Sequence, residues 1–212
     1  IESMKELADT GCVEFLSETY AHSLASLEDP DEFVAQVKDH DKKIFQLFGK
    51  HPVVFRNTEL IYDDDISAMV QNMGFKGVIT EGAKHILGWK SPNYVYSSPV
   101  APKLKLLLKN SKLSDDISFR FSNPDWASYP LTADKYIDWI ASLPEEEQLV
   151  NLFMNYETFG EMQPRESGIF EFMKALPRFA VEKGIEFFTP SEVISKMKSV
   201  GEMPVMHPIS WA

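Results

Sequence analysis

Short apolar runs alternate along this chain with longer stretches in which apolar residues recur every three or four positions. The runs suit strands and the periodic stretches suit amphipathic helices. IESMKELADTG reads as a helix and CVEFL as the strand after it. DPDEF then opens a helix: Asp29 caps, Pro30 takes the first turn and Glu32 stands at the capping-box position. Phe33, Val34, Val37, Ile44, Leu47 and Phe48 fall on one face of this helix, and Gly49 ends it. PVVFRN is the next strand, DDDISAMVQNMG a short helix with acids in its first turn, and FKGVIT a further strand.

The regularity loosens through NYVYSS, LKLLLKN and the loop SNPDWASYPLT, before a helix containing Tyr136, Ile137 and Ile140. It returns with LVNLFMN, a continuous apolar run suited to a strand covered on both faces. A helix carrying Ile169, Phe172, Met173 and Leu176 on one face follows, with Pro177 expected to disturb it. IEFFT is the last strand, and TPSEVISKM opens the last helix with a capping box from Thr189 to Glu192.

Alternating strands and helices predict an α/β fold with a parallel sheet and helices outside it. CVEF, PVVFR, GVIT, LVNLFM and IEFF are expected to be neighbouring, mainly parallel strands of one curved sheet. The absence of a glycine-rich phosphate loop after any strand favours a β/α barrel over a doubly wound nucleotide-binding sheet. No short repeat, low-complexity segment or linker divides the chain, so residues 1–212 are expected to form one domain or part of one.

In a barrel the chemistry gathers at the C-terminal ends of the strands, and polar groups stand there in FRNTE, TEG and NYETFGE. Asp63 to Asp65 are explained by helix capping. Glu59 is not. A carboxylate at a strand end, flanked by Arg56 and Asn57 to hold it in its charged form, is placed as a nucleophile or charge stabiliser would be.

Composition narrows the partners. The 212 residues are 44% hydrophobic with a formal net charge of −11, which fits a globular protein and repels nucleic acid and anionic membranes. No apolar run is long enough to span a bilayer and the start lacks a signal-peptide layout, so a cytoplasmic location is the expectation. The single cysteine, Cys12, has no internal partner and is expected in the core. No Cys/His cluster has ligand spacing, so no metal and no cofactor is expected. Because the chain opens without methionine, and partway into a helix, it is expected to be an excerpt of a longer protein.

GCVEFLSETYAHS, VFRNTELIYDD, NYETFGE and FFTPSE, in this order and spread over nearly the whole chain, resemble the motifs of glycoside hydrolase family 57, in particular its α-amylase-like branch. The resemblance implies a retaining enzyme acting on α-glucans or maltooligosaccharides, on an incomplete, seven-stranded β/α barrel truncated here at its N-terminus and before a helical region. It places Glu59 at the catalytic nucleophile and Asn155 where the family carries an aspartate acid/base. A His-Gln-Pro motif of the first barrel strand is absent, as expected of an N-terminally shortened chain.

Asn155 is the serious departure. A retaining glycosidase needs one carboxylate to attack the anomeric carbon and a second, roughly 5–5.5 Å away, to protonate the leaving oxygen. An amide has no transferable proton near neutral pH. The asparagine marks an engineered substitution, a natural member that has lost hydrolysis, or a site whose donor is a neighbour such as Glu157 or Glu161. If Asn155 still lies on the strand, Glu157 shares its face.

Further candidates surround these two. Glu14 and Glu18 either line the same mouth or are surface acids, with Glu14 favoured by its place in the second motif. His22 is a sugar contact or a structural histidine. Trp89, Tyr94, Trp126 and Trp211 are stacking platforms or packing residues, and the loops HILGW and NPDWASY set Trp89 and Trp126 beside turn residues. Glu192 is mainly a helix start. The substrate-binding set is therefore expected to be Glu14, His22, Arg56, Trp89, Trp126 and Glu157. A non-catalytic glucan-binding homologue using the same cleft is the competing expectation. A metal-dependent polysaccharide deacetylase would need an aspartate with a histidine pair, and no His-x-x-x-His occurs.

Overall fold

The elements, in chain order, are α1 (Glu2–Asp9), α2 (Ala25–Glu28), α3 (Pro30–Phe48), β1 (Val54–Arg56), α4 (Asp64–Asn72), β2 (Gly77–Glu81), α5 (Lys84–Leu87), β3 (Val95–Ser97), β4 (Lys105–Lys109), α6 (Ser111–Ser118), α7 (Ala133–Ala141), α8 (Ile169–Glu182) and α9 (Pro190–Lys196). They come from a computed structural model that describes residues 1–212. The chain forms two compact units, Ile1–Leu108 with Phe188–Ala212, and Lys109–Phe187. The sheet is open, with strand order β1-β2-β4-β3, so the architecture is a partial, unclosed α/β barrel. No helix is long and apolar enough to cross a membrane.

Within the first unit, β1 and β2 pair in parallel with Phe55 opposite Val78. Every residue of β2 is buried, which is why GVIT carries no polar alternation. The helices begin where their caps require. The Asp29 carboxylate accepts from the N–H groups of Asp31 and Glu32, and Gly49 closes α3 in the left-handed conformation at φ 67°. Asp63 accepts from the Ile66 N–H at 2.8 Å. Thr189 and Glu192 form the reciprocal capping box of α9. Phe33 and Val37 of α3 pack with Phe55, Ile66, Val70, Val78 and Leu106 in the core of this unit.

In the second unit α7 packs against α8. Its core joins Leu113, Ile117, Tyr136, Ile137, Ile169, Phe172 and Leu176. Phe172 meets Phe121 and Tyr136 edge-on, at centroid distances of 5.2 and 5.7 Å.

Several sequence expectations are corrected. CVEFL is not a regular strand: only Ser17 pairs, donating to Val54 O and accepting from Arg56 N, while Phe15 spends its apolar surface stacked on Phe48. LVNLFMN makes one parallel bridge, Asn151 to Lys109, and the Phe153 N–H goes to the Ser114 hydroxyl rather than to a neighbouring strand. In IEFFT the Ile185 N–H is taken by Ala180 O at the end of α8, and Phe187 lies exposed. The apolar residues of these runs are at most partly buried, by packing, without the ladder that would make them strands. NYVYSS and LKLLLKN, where the pattern loosened, supply β3 and β4, and these pair antiparallel.

Three local expectations change as well. α8 runs through Pro177, which sits on the exposed side, where solvent can satisfy the carbonyl one turn earlier. The Glu32 carboxylate accepts from Gln36 Nε2 at 2.7 Å instead of closing a capping box. Cys12 is exposed rather than in the core.

Candidate functional site around Glu59

β1 ends at Arg56, and the chain then makes a tight 3-10 turn over Thr58–Leu60. Asn57 builds that turn from inside. It is 1% exposed; its amide Nδ2 donates to Ser26 Oγ at 2.8 Å and to Ile61 O at 3.1 Å, and its Oδ1 accepts from Thr58 N at 3.0 Å. Glu59 and Leu60 both have φ of 52°, a left-handed conformation that non-glycine residues adopt only under constraint, at about 1–3 kcal/mol each. Leu60 is fully buried and anchors the turn, while the Glu59 side chain remains 40% exposed.

The Glu59 carboxylate is held from two sides. Trp211 Nε1 donates to Oε2 at 2.6 Å, and His22 Nε2 lies 3.4 Å from Oε1. The Glu59 carbonyl accepts from Ser210 Oγ at 2.8 Å and from Trp211 N at 3.2 Å. These contacts hold its pKa below the usual carboxylate value, with the indole hydrogen bond the largest cause, opposed by desolvation and assisted by His22 and the Arg56 charge. Glu59 is therefore an ionised carboxylate with an open face, as a nucleophile or charge stabiliser must be.

Behind His22 and Arg56 stands Glu18. Its Oε2 pairs with Arg56 Nη1 and lies 3.7 Å from His22 Nδ1. His22 thus sits between two carboxylates, and its own φ is 51°. The Glu18 N–H donates to His40 Nδ1 at 3.4 Å, which requires that nitrogen to be unprotonated. Burial, the leading cause, lowers the His40 pKa and favours that neutral form.

The other expected residues are distributed as follows. Arg56 reaches Glu59 through charge, while its guanidinium pairs with Glu18, and Asn57 shapes the turn; the direct grip comes from Trp211. The Glu14 carboxylate has both oxygens on Ser191, one on its N–H at 2.8 Å and one on its hydroxyl, at the first turn of α9. Trp89 follows Gly88 at the end of α5 and is 93% exposed. Tyr94 packs against the core of the first unit.

In the second unit, Asn155 is exposed and starts a 3-10 turn over Tyr156–Thr158 without a side-chain capping bond. The chain is no longer extended after Asn155, so the period-of-two argument that set Glu157 on its face does not hold. Glu157 lies on the turn, exposed. Trp126 is partly buried and meets Trp139 edge-on at 6.1 Å.

Sequence reasoning set Trp211 among several aromatics without linking it to Glu59. The pairing crosses 152 positions and runs through a tail, HPISWA, with no regular element to locate it. The antiparallel bridge between Tyr62 and Ile209 brings the two segments together.

Known proteins match this chain over most of its length. A Methanocaldococcus jannaschii protein named "Putative alpha-amylase" is 49% identical over 216 residues, covering 100% of this chain. The chain spans 45% of that relative's own length. The crystal structure of the 4-alpha-glucanotransferase from Thermococcus litoralis superposes with a TM-score of 0.78 at 18% identity, over 98% of this chain and 32% of that one. The branching enzyme from Pyrococcus horikoshii gives a TM-score of 0.76 at 16% identity, over 99% of this chain and 49% of that one. At those identities the two structures speak to the fold. The sequence pattern of Glycosyl hydrolase family 57 matches residues 1–206. The chain belongs to glycosyl hydrolase family 57.

Proposed function

We propose that this chain carries the nucleophile of an α-glucan-active, amylase-like retaining glycoside hydrolase, with Glu59 attacking the anomeric carbon and Asn155 at the acid/base position. The observation that supports it best is the ionised, half-exposed Glu59 carboxylate at the end of β1, held by Trp211 Nε1 and His22. The names of its relatives, an alpha-amylase, a glucanotransferase and a branching enzyme, agree on α-glucan chemistry.

The reaction proceeds in two displacements. Glu59 forms a C–O bond to the anomeric carbon as the glycosidic bond breaks, and the leaving oxygen takes the electron pair. A second group must protonate that oxygen and later deprotonate the incoming water, or the incoming sugar hydroxyl in a transfer reaction. Asn155 can donate an N–H hydrogen bond to the oxygen but cannot deliver a proton. The first displacement is thus left to the intrinsic quality of the leaving group.

A glucan-binding protein without turnover is the second reading, and Asn155 itself favours it. Comparing the protein as it stands with its Asn155→Asp and Glu59→Gln variants tests both. On the hydrolytic reading, Asn155→Asp raises turnover of maltooligosaccharides by about 10²–10⁴-fold, the usual contribution of a general acid. An aryl α-maltooligosaccharide, with its better leaving group, gains less, and Glu59→Gln abolishes both. If the unmodified protein cleaves maltooligosaccharides as fast as Asn155→Asp, the donor lies elsewhere and Glu157 or Glu161 is the residue to replace. Retained glucan binding with no turnover in any of the three supports the binding protein.

A further inference from the structure

The Glu59 turn and the segment after α9 meet like two strands. Tyr62 N donates to Ile209 O at 3.0 Å and Ile209 N donates to Tyr62 O at 2.9 Å. Past that bridge, Ser210 and Trp211 place three donors on one residue: the serine hydroxyl and the Trp211 N–H on the Glu59 carbonyl, and the indole N–H on the Glu59 carboxylate. The residue so held has a left-handed backbone, which would otherwise relax. Neither backbone nor carboxylate of Glu59 is left to its own preference.

We infer that Trp211 is the positioning residue of the Glu59 carboxylate: its indole N–H fixes the orientation of the two oxygens, and Ser210 clamps the strained turn that presents them. The inference deepens the proposed function, on which its catalytic meaning rests. The indole N–H is a donor only, so it engages Oε2 as an acceptor at 2.6 Å and leaves Oε1, which has only the longer 3.4 Å contact with His22 Nε2, as the oxygen to attack. A short hydrogen bond to an ionised acceptor is of the stronger kind. Holding a nucleophile matters because a displacement near 1 Å can cost about 10²-fold in rate.

The titratable and charged groups facing Glu59 are His22 from the loop before α2 and Arg56 from the end of β1, with Glu18 behind both. Their contributions are separated from that of Trp211 by a parallel His22→Gln variant.

The test has two readouts. First, the four indole N–H resonances of the ¹⁵N-labelled protein are followed with pH. The Trp211 resonance, assigned by its absence in Trp211→Phe, is expected to titrate with the Glu59 carboxyl, and that titration is expected to vanish in Glu59→Gln. The ¹³C signal of the Glu59 carboxyl should titrate at higher pH in Trp211→Phe than in the unmodified protein. A Trp211 resonance indifferent to Glu59, or a Glu59 titration unmoved by Trp211→Phe, overturns the inference. Where Trp211→Phe does not fold, the resonance is assigned instead from backbone-connected NMR spectra of the unmodified protein, and its titration still decides.

Second, labelling by a 5-fluoro-maltosyl fluoride is measured by intact mass. The ester bond to Glu59 forms as the C–F bond breaks and fluoride leaves with the electron pair, with no proton donor needed. Trp211→Phe should slow this labelling about tenfold or more. Unchanged labelling overturns the inference. If the unmodified protein is labelled elsewhere than Glu59 while the indole still titrates with Glu59, Trp211 positions that carboxylate and the nucleophile assignment is what falls.

Discussion

Asn57 is the residue on which the shape of the Glu59 turn depends, and its removal is a quantitative test of that account. Asn57→Ala deletes an amide that is 1% exposed and makes three hydrogen bonds. Ser26 loses an incoming donor but can rotate its hydroxyl to another partner. The Thr58 N–H and the Ile61 carbonyl cannot rotate, and both lie in buried backbone. Each buried group left unsatisfied costs about 1–3 kcal/mol, so the pair, less what water recovers in the space vacated, comes to about 2–4 kcal/mol.

Urea unfolding followed by circular dichroism and tryptophan fluorescence measures this. A lower midpoint with an unchanged slope reports lost stability rather than a changed unfolded state. Asn72→Ala, at an exposed position near the end of α4, serves as the control and should stay within about 0.5 kcal/mol. Asn57→Asp keeps the acceptor for Thr58 but turns the donor face into a second acceptor aimed at the Ile61 carbonyl, so it should not rescue the loss. A cost below about 1 kcal/mol for Asn57→Ala would refute the bracket, because one orphaned backbone group alone exceeds it.

Two further outcomes follow from the packing. Glu14→Ala should lower stability by about 1–2 kcal/mol, the range of a lost helix-terminal cap with a charged acceptor, and Glu14→Gln by less; thermal unfolding of the purified variants checks both. Phe172→Ala, which empties the meeting point of Phe121 and Tyr136 in the second unit, should cost about 3–5 kcal/mol in a denaturant titration.

Most of the longer helices were legible because their signals are local, although α6, capped by Asn110, was missed where the pattern loosened. Asp29-Pro30, Asp63 and Thr189-x-x-Glu192 satisfy orphan N–H groups within one turn, so neighbouring letters suffice to locate them. The strands were legible only in part. GVIT and VFR have ladder partners, whereas LVNLFMN and IEFFT have the same apolar content and one bridge between them, a difference that lies in distant segments. Glu59 was legible for a related reason: an acid just after an apolar run, with no helix to cap, has no cheap local explanation. Of its partners, Arg56 was legible as a neighbour in sequence, and Trp211 was not. Glu18 pairs with Arg56, and Glu14, expected among the sugar contacts, binds Ser191 at the first turn of α9. Both placements follow from segments 38 and 177 positions apart, which no periodicity connects.

The arrangement also bears on what an asparagine at position 155 leaves unchanged around Glu59. Every group found to hold Glu59, from His22 and Arg56 to Ser210 and Trp211, belongs to the first unit, and Asn57, which bends its backbone, does too. Asn155 belongs to the second, at the start of its own short turn, whose backbone bond from Thr158 N to Asn155 O is indifferent to the side chain. Aspartate and asparagine have nearly the same shape, and at an exposed position neither brings a large desolvation cost. On the proposed function, exchanging one for the other alters the supply of a proton, and the groups that hold Glu59 are unchanged. Under that proposal Asn155→Asp is an informative substitution, because a gain in turnover from this single change requires that Glu59 was already held ready in the asparagine protein.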